Sequence, residues 1–262
     1  MTGDADIVLS IENVAVRFGG LLAISDMTFS VREGQIVGLI GPNGAGKTTA
    51  FNVITGFLRQ ANGEVLYRST SLRGLKPHEI AKLGLVRTFQ RTSVFQERSV
   101  FHNVLTALHC QGRSRLWDIL LRTPREAASE RALAEQASNI LRFVGLTHRT
   151  DEPAGALPYG EQRLVGVALA LAVKPSMLLL DEPVSGMNPA ETERFIGLVE
   201  KIRDSGVTIL LVEHDMKMVM GVCDNIVVLN YGRIIAEGPP AEIQKNPEVI
   251  RAYLGEGKKK RA

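Results

Sequence analysis

The chain has 262 residues, of which 45% are hydrophobic and 23% charged, and these proportions are typical of globular proteins. With 25 glycines, 11 prolines and no sustained repeat, the composition excludes a collagen-like or disordered chain. The formal net charge of +3 is too close to balance to indicate nucleic-acid binding by charge alone.

The cysteines and the apolar runs indicate a reducing compartment and no membrane span within the chain. Cys110 and Cys223 lie far apart, without a second Cys or His at metal-site spacing, so neither a disulfide framework nor a zinc site is expected. The N-terminus is acidic where a signal peptide is basic, and the longest apolar run, Leu164–Val173, is about half the ~20 residues that a span needs. The chain is therefore expected to be cytoplasmic. Its basic tail, GEGKKKRA, is expected to be a solvated end, with weak contact to a membrane surface as the alternative.

The first third of the chain predicts strands and turns around one glycine-rich loop. Strands are predicted over Ile7–Phe18, Leu21–Val31 and Gln35–Ile40, because these runs are apolar, rich in β-branched residues and bounded by turn signals. The loop GPNGAGKTT follows the third strand and leads into a predicted helix over Thr48–Leu58. Strand, glycine-rich loop and helix is the order of a phosphate-binding unit.

The rest of the chain predicts first a helical segment and then an alternation of strands and helices. Arg122–Leu146 has apolar residues at helical spacing and Gly145 as a C-cap, so residues 93–160 are interpreted as an inserted helical lobe. Helices and strands then alternate over Glu161–Val173, Met177–Leu180, Pro189–Asp204 and Val207–Val212. Short apolar strands between helices indicate a parallel sheet that is covered on both faces.

The octapeptide GPNGAGKT, Gly41 to Thr48, matches the phosphate-loop pattern G-x-x-x-x-G-K-[ST]. Its glycines let backbone N–H groups close around phosphate oxygens without a Cβ in the way. In this pattern Lys47 reaches the β- and γ-phosphates, Thr48 offers its hydroxyl to Mg²⁺, and the helix that begins there contributes its positive end. An unrelated glycine-rich turn is the alternative, which the position between an apolar strand and a helix disfavours.

The run MLLLDEP, Met177 to Pro183, places two acids at the end of a predicted buried strand. Asp181 is expected at the carboxyl edge of the sheet, where a carboxylate is held near Mg²⁺ directly or through water. Glu182, one position further on, is placed to polarise an attacking water. Alone, the pattern also fits a surface acid after a core strand. Together with the phosphate loop, it predicts nucleotide hydrolysis.

With these motifs and several weaker ones in a fixed order, nearly the whole chain resembles the ATP-binding subunit of an ABC transporter. Gln90 in RTFQ matches the Q-loop glutamine of that family, and LPYGEQR, Leu157–Arg163, stands where the signature LSGGQ belongs. PVSGMNP fills the D-loop position, His214 in LLVEHD matches the switch histidine, and Phe18 in VRFGG matches the aromatic residue that stacks on adenine. Taken singly, residues such as Gln90, His214 and Phe18 are more often structural. The resemblance rests on their order and spacing around the two stronger motifs.

The resemblance implies an α/β fold, namely a P-loop NTPase core of the ABC type. That core has a mostly parallel sheet, an N-terminal antiparallel β subdomain and an inserted helical subdomain. Residues 1–262 would form a single ATP-binding domain, with 1–92 and 161–262 as the core lobe and 93–160 as the helical signature lobe.

The resemblance also implies a set of residues that bind ATP and Mg²⁺. The catalytic roles fall on Lys47, on Glu182 as general base and on His214, which contacts the γ-phosphate, while Thr48, Gln90 and Asp181 would hold Mg²⁺. The full nucleotide-contacting set is Phe18, Gly41, Pro42, Asn43, Gly44, Ala45, Gly46, Lys47, Thr48, Thr49, Gln90 and Asp181. The signature residues, which act in trans on ATP held by the other subunit, are Leu157, Pro158, Tyr159, Gly160 and Glu161.

The chain departs from the family pattern in the signature and the D-loop. Pro158 replaces the usual signature serine, Tyr159 replaces the next glycine, and Asn188 replaces the D-loop aspartate. Because Pro158 has neither a hydroxyl nor an N–H to donate to a γ-phosphate, the departure weakens the composite site on the partner. The working dimer is therefore expected to be a heterodimer, and the chain alone a weak, mostly monomeric ATPase.

Four segments together resemble one subgroup, the larger ATPase subunit of branched-chain amino acid importers; they are LPYGEQR, PVSGMNP, RTFQRTSVFQERSVFHNV and YGRIIAEGPPAEIQKNP. The resemblance implies integral-membrane permeases, a second ATP-binding subunit and, indirectly, a solute-binding protein as partners, and no nucleic acid. It places the chain at the cytoplasmic face of the inner or plasma membrane. Importers of urea, amides or other small organic solutes, exporters, soluble ABC ATPases of DNA repair or translation, and a non-catalytic subunit remain alternatives at this point.

Overall fold

The computed structural model describes residues 6–88, 94–109 and 124–254. The described residues form two compact units, of which the first comes from Met1–Arg87, Ser176–Ser185 and Pro189–Ala262 and the second from Thr88–Pro175 and Gly186–Asn188. Gln90, Cys110 and the basic tail lie outside the described residues.

In chain order, the strands are β1 Ile7–Phe18, β2 Leu21–Arg32, β3 Ile36–Ile40, β4 Asn62–Tyr67, β5 Thr70–Ser71, β6 Leu85–Arg87, β7 Met177–Asp181, β8 Thr208–Val212, β9 Asn225–Asn230 and β10 Arg233–Gly238. The helices are α1 Lys47–Ile54, α2 Pro77–Lys82, α3 Val100–His109, α4 Pro124–Phe143, α5 Tyr159–Ala172, α6 Pro189–Asp204, α7 Met216–Val222, α8 Pro240–Ile243 and α9 Pro247–Leu254. Single 3₁₀ turns occur at Thr147–Arg149 and Ala154–Ala156.

The first unit contains a six-stranded sheet with the order β10-β9-β3-β8-β7-β6. Neighbouring strands are parallel except for β10, which runs antiparallel to β9. Every residue of β3, β7 and β8 is buried, as expected for strands that are covered on both faces. The predicted mostly parallel α/β sheet is thereby confirmed.

A second sheet in the same unit is antiparallel, with the order β2-β1-β4-β5. It is the predicted N-terminal β subdomain. Its inward side chains share one core cluster with the six-stranded sheet and α1, in which Met27, Leu39, Phe51 and Tyr67 are almost completely buried. Tyr67 keeps its polar end satisfied in this core, because its hydroxyl forms a hydrogen bond of 2.8 Å with the Ser176 hydroxyl.

Helix α1 ends at Ile54, four residues before the predicted end of the helix at Leu58. The backbone turns at Gly56, where φ is +73°, and the Leu58 N–H donates back to the Asn52 carbonyl at 2.9 Å. A left-handed glycine after the last helical turn is a common helix stop, and here it lies inside the apolar pattern that suggested a longer helix.

The second unit is helical. Helix α4 covers most of the predicted segment and ends as expected before Gly145, where φ is +80° and the N–H donates to the Arg142 carbonyl. Helix α5 packs against α3 and α4 and so belongs to this unit, whereas the predicted boundary after residue 160 would divide that helix. Over the described ranges, no helix combines the length and apolarity that crossing a bilayer demands.

Candidate nucleotide-binding site

Three neighbouring parallel strands end at the same level of the six-stranded sheet. Leu39 of β3 and Asp181 of β7 are both in register with Val212 of β8. The residues that follow these strands therefore emerge side by side at one edge. They are the phosphate loop after β3, Glu182 after β7, and the pair Glu213–His214 after β8.

The phosphate loop is held close to the end of β9 and to the turn between β9 and β10. A Cβ on Gly41 would lie 2.0 Å from the Leu229 carbonyl oxygen, so only glycine fits there. Gly232 in the turn donates its N–H to the Ala45 carbonyl at 2.9 Å and accepts from the Ser25 N–H at 2.8 Å. These contacts shape the loop before any phosphate binds.

Lys47 is the first residue of α1 and only 8% exposed. Its ammonium group donates to the carbonyls of Gly41 at 2.6 Å and Pro42 at 3.0 Å. Burial lowers the pKa of Lys47, and the nearby carboxylate of Glu182 counteracts part of that effect. Since α1 has no acid in its first turn, the loop offers an anion both a buried cation and the positive end of a helix.

A cleft of about 380 Å³ opens over this loop. It is lined by Leu21, Leu22, Ala23, Asn43, Gly44, Ala45, Gly46, Lys47, Thr48, Thr49, Glu182 and Tyr231. The structure thus brings the predicted phosphate loop and the predicted general base into one cavity. Thr48 is exposed in it, so that its hydroxyl is accessible.

Glu182 directly follows β7 in an unusual backbone conformation. Its φ is +46°, in the left-handed region that favours glycine. Its N–H donates to the Val212 carbonyl at 2.9 Å, and its own carbonyl accepts from the Ser185 N–H at 3.3 Å, which closes a turn around it. Strained non-glycine residues of this kind cluster at functional sites.

Asp181 does not line the cleft but is bound to a cation that the motif analysis missed. Arg87 donates to the Asp181 Oδ2 atom at 2.7 Å, and the side chains are only 7% and 11% exposed. The same guanidinium group donates to Asn52 and Thr55 in α1 and its C-cap. Among the described residues, no group of three or more His, Cys, Asp or Glu side chains could by itself hold a metal ion.

His214 and Phe18 are accessible, but neither is among the residues lining the cleft. The His214 ring is 59% exposed, and Phe18 is 49% exposed at the end of β1, in register with the cleft residue Leu21. Gln90 lies outside the described residues.

The signature segment lies in the second unit, at the start of α5. The helix begins at Tyr159, two residues before the predicted start, with Pro158 as its N-cap and the Gln162 N–H donating to the Pro158 carbonyl at 3.0 Å. Tyr159 is 51% exposed, and the buried guanidinium group of Arg163 stacks on its ring and donates to its hydroxyl. Glu161 is paired with Arg149 at 2.9 Å.

Sequence reasoning missed Arg87, Glu213 and Tyr231. Arg87 follows two apolar residues of a short strand, and a charged residue in such a strand could have been flagged as buried and paired. Glu213 stands directly after an apolar strand, as Asp181 stands at the end of one, and the same reasoning would have singled it out. Tyr231, 87% exposed, lies in a turn far along the chain, and only the fold shows that this turn borders the cleft.

The similarity of this chain to known proteins extends beyond the phosphate loop. A family model described as ABC transporter matches residues 24–185, and one described as Branched-chain amino acid ATP-binding cassette transporter matches residues 233–259. The chain is 44% identical over 250 residues to the high-affinity branched-chain amino acid transport ATP-binding protein LivG of Salmonella typhimurium, covering 95% of this chain and 98% of LivG. The protein of the same description named BraF, from Pseudomonas aeruginosa, is also 44% identical over 250 residues, with the same coverage.

Solved structures give the same result. The ADP conformation of MJ1267, an ATP-binding cassette of an ABC transporter, is similar to this chain with a TM-score of 0.82 and 33% identity, covering 95% of this chain and 99% of that one. A nucleotide-free ATP-binding cassette from an ABC transporter is similar with a TM-score of 0.82 and 33% identity, covering 95% of this chain and 100% of that one. The likeness therefore spans nearly the whole chain.

Proposed function

We propose that this chain, which belongs to the ABC transporter family of ATP-binding subunits and is an ATPase, powers the uptake of branched-chain amino acids. One observation of the structure carries the ATPase chemistry, namely that Lys47 and Glu182 share one cleft at the phosphate loop. The solute is proposed from similarity, because LivG and BraF are described as branched-chain amino acid transport proteins and residues 233–259 match the family model of that description.

In this proposal, the triphosphate of ATP occupies the loop Gly41–Thr49. The Lys47 ammonium group, now hydrogen-bonded to loop carbonyls, would turn to the β- and γ-phosphates. Adenine would stack on the exposed ring of Phe18, whose register partner Leu21 lines the cleft. The positive end of α1 adds to the attraction for phosphate.

The oxygen donors near the loop fit Mg²⁺, which usually takes one or two carboxylates and completes its shell with phosphate oxygens and water. Thr48 would contribute its hydroxyl and Gln90 its side-chain oxygen. Asp181, whose Oδ2 atom is already bound by Arg87, would act through water. When bound, Mg²⁺ would neutralise phosphate charge.

Hydrolysis would depend on Glu182 and His214. Glu182 is the proposed general base, which accepts a proton from the attacking water; its backbone is held at the strand end by the hydrogen bond to Val212. His214 would donate to the γ-phosphate as negative charge develops there. Phosphoryl transfer to water needs positioning and charge neutralisation rather than covalent catalysis, which suits this set of groups.

Membership of a transporter family implies membrane permease subunits as partners. We propose in addition that the chain works at the cytoplasmic face of the membrane, in a heterodimer with a different ATPase subunit, and that a solute-binding protein delivers the amino acid. The signature segment supports the heterodimer, since Pro158 at the N-cap of α5 offers neither hydroxyl nor N–H to a phosphate in trans. A stable ATP-bound homodimer of the wild-type chain in size-exclusion chromatography would contradict this arrangement.

Solute uptake by cells that lack the chain tests the proposed function. Deleting its gene is expected to abolish high-affinity uptake of radiolabelled leucine, isoleucine and valine. The wild-type chain should restore uptake and Lys47→Ala should not. Thr208→Val is the matched control, because it removes one partly buried hydrogen bond, from the Gly34 N–H, away from the cleft and should restore uptake.

Two outcomes would overturn the proposal. Unchanged uptake of all three amino acids in the deletion strain would exclude them as the solute, and loss of labelled urea or acetamide uptake instead would assign the amides. Full restoration by Lys47→Ala would show that ATP bound at this loop does not drive uptake.

A further inference from the structure

Glu213 is a buried carboxylate at the edge of the sheet where the candidate site lies. It follows the wholly buried strand β8, precedes His214, and is 0% exposed. Burial raises the pKa of Glu213, and hydrogen bonds from three backbone N–H groups counteract part of that effect. A carboxylate in such a place is costly to the fold unless its oxygens are well bonded, so its partners indicate what it is retained for.

The two carboxylate oxygens of Glu213 bind different loops. Oε1 accepts from the Val184 N–H at 2.9 Å, in the loop after Glu182. Oε2 accepts from the His214 N–H at 3.0 Å and, with longer geometry, from the Asp215 N–H at 3.4 Å. One side chain thus bridges the loop of the proposed general base and the loop of the switch histidine.

The bridge begins where the backbone ladder between β7 and β8 stops. The last backbone hydrogen bond between the two segments runs from the Glu182 N–H to the Val212 carbonyl. Val184 lies inside the turn that the bond from Ser185 to the Glu182 carbonyl closes. Fixing the Val184 N–H therefore fixes the turn from which the Glu182 side chain projects.

We propose that Glu213 is a positioning residue for ATP hydrolysis, which holds the Glu182 turn and His214 in the relative arrangement that the reaction needs. The inference rests on the catalytic roles proposed for Glu182 and His214. Glu213 lies below the surface and does not line the cleft, so it acts through its two neighbours and leaves ATP binding to the phosphate loop.

Glu213→Gln breaks the hydrogen-bonded connection between the two loops with little change in side-chain volume. Glutamine has one acceptor oxygen instead of two, and its NH₂ group would face a backbone N–H, so only one loop stays bonded. The expected result is a fall in kcat of about tenfold to a hundredfold, the size that a misplacement of ~1 Å produces, with the KM for ATP within about twofold of wild type. Turnover is measured in the whole transporter complex, purified by means of this chain. The rate of the Glu182→Gln complex, which comes from the other ATPase subunit, is subtracted from each value.

Thr208→Val is the matched control, since Thr208 lies at the other end of β8, is also 0% exposed, and its hydroxyl accepts from the Gly34 N–H at 3.0 Å. Glu213→Gln leaves a buried N–H without its acceptor and Thr208→Val leaves a partly buried one, so both should lower the thermal midpoint. Only Glu213→Gln should lower kcat. Equal loss of kcat in the two variants would reduce Glu213 to a structural residue, and a kcat of Glu213→Gln within about twofold of wild type would also overturn the inference.

A double-mutant cycle distinguishes this inference from the proposed function. In a His214→Ala background, Glu213→Gln should lower kcat much less than it does in the wild type, because the group that it positions is gone. Full additivity would contradict positioning through His214. Normal turnover in Glu182→Gln and His214→Ala themselves would instead refute the catalytic roles on which the inference rests.

Discussion

Replacing the buried Arg87 with methionine should destabilise the chain far more than replacing an exposed arginine that lies at a similar distance from its carboxylate partner. Arg87 and Asp181 form an ion pair at 2.7 Å with side chains that are 7% and 11% exposed. The guanidinium group also donates to Asn52 at 2.8 Å and to Thr55 at 3.3 Å, and it lies 5.5 Å from the centroid of the Phe51 ring. The substitution therefore leaves a buried carboxylate without its cation.

The expected cost is about 3–5 kcal/mol, which is the range for removing one member of a buried pair. The net worth of the pair itself is smaller, because both charges lose their hydration when they are buried. Arg87→Met combined with Asp181→Leu should accordingly recover a large part of the loss, since neither charge then remains in the core. This recovery separates the penalty of a lone buried charge from the loss of packing around Arg87.

Urea unfolding followed by circular dichroism measures both effects. Arg68→Met is the control: Arg68 pairs with Glu33 at 2.9 Å, but the side chains are 51% and 58% exposed, so a change of ~0–1 kcal/mol is expected. A loss below about 1 kcal/mol in Arg87→Met would refute the argument from burial. A double variant as unstable as the sum of its single substitutions would show that packing, and not charge, explains the loss.

Three further predictions concern the site and the core. Gly41→Ala should abolish ATP binding in a filter or calorimetric assay, because the new Cβ would lie 2.0 Å from the Leu229 carbonyl oxygen and the loop must move; unchanged affinity would contradict the observed loop contacts. Glu182→Gln should bind ATP normally but hydrolyse it about 10²–10⁴-fold more slowly in a phosphate-release assay, and near-normal turnover would exclude it as the general base. In a Cys110→Ser background, Cys223 should react with a thiol reagent at pH 8 only after urea unfolding, since it is 7% exposed and burial raises the pKa of its thiol to about 12. Rapid labelling of the folded chain would contradict its burial. Because the pKa of the thiol is about 9.0 in the unfolded chain, the free energy of unfolding should also fall as pH rises from 9.0 to about 12.

The sequence predicted much of the fold because its local signals agree with the tertiary structure. Pro189 begins helix α6 and Asp204 ends it, as predicted, since the apolar face, the N-terminal proline and the following Gly206 all mark the same element. The start of α5 was misplaced by two residues because Pro158 is an unusual N-cap, and no side-chain cap marks the true first residue, Tyr159. Helix α1 was overextended because its apolar pattern continues past the stop at Gly56.

The site was predictable as far as chain topology determines it. Parallel strands end at one edge, so the phosphate loop and the acids after β7 were expected at the same edge, and Lys47 and Glu182 do line one cleft. The partners of each side chain were not predictable, because they depend on long-range register. Arg87 is ninety-four positions from Asp181 and meets it only because β6 is the neighbour of β7 in the sheet.

The unusual backbone of Glu182 connects the stability of the sheet to its chemistry. A non-glycine residue at φ +46° costs the fold about 1–3 kcal/mol, and it persists only where surrounding bonds outweigh that cost. The surrounding bonds here are the Glu182 N–H to Val212, the turn closed by Ser185, and the contact of Glu213 with Val184. Two of these three depend on the register between β7 and β8. A change that shifts this register would therefore relax Glu182 and move its carboxylate, so that activity should be lost before the sheet itself unfolds.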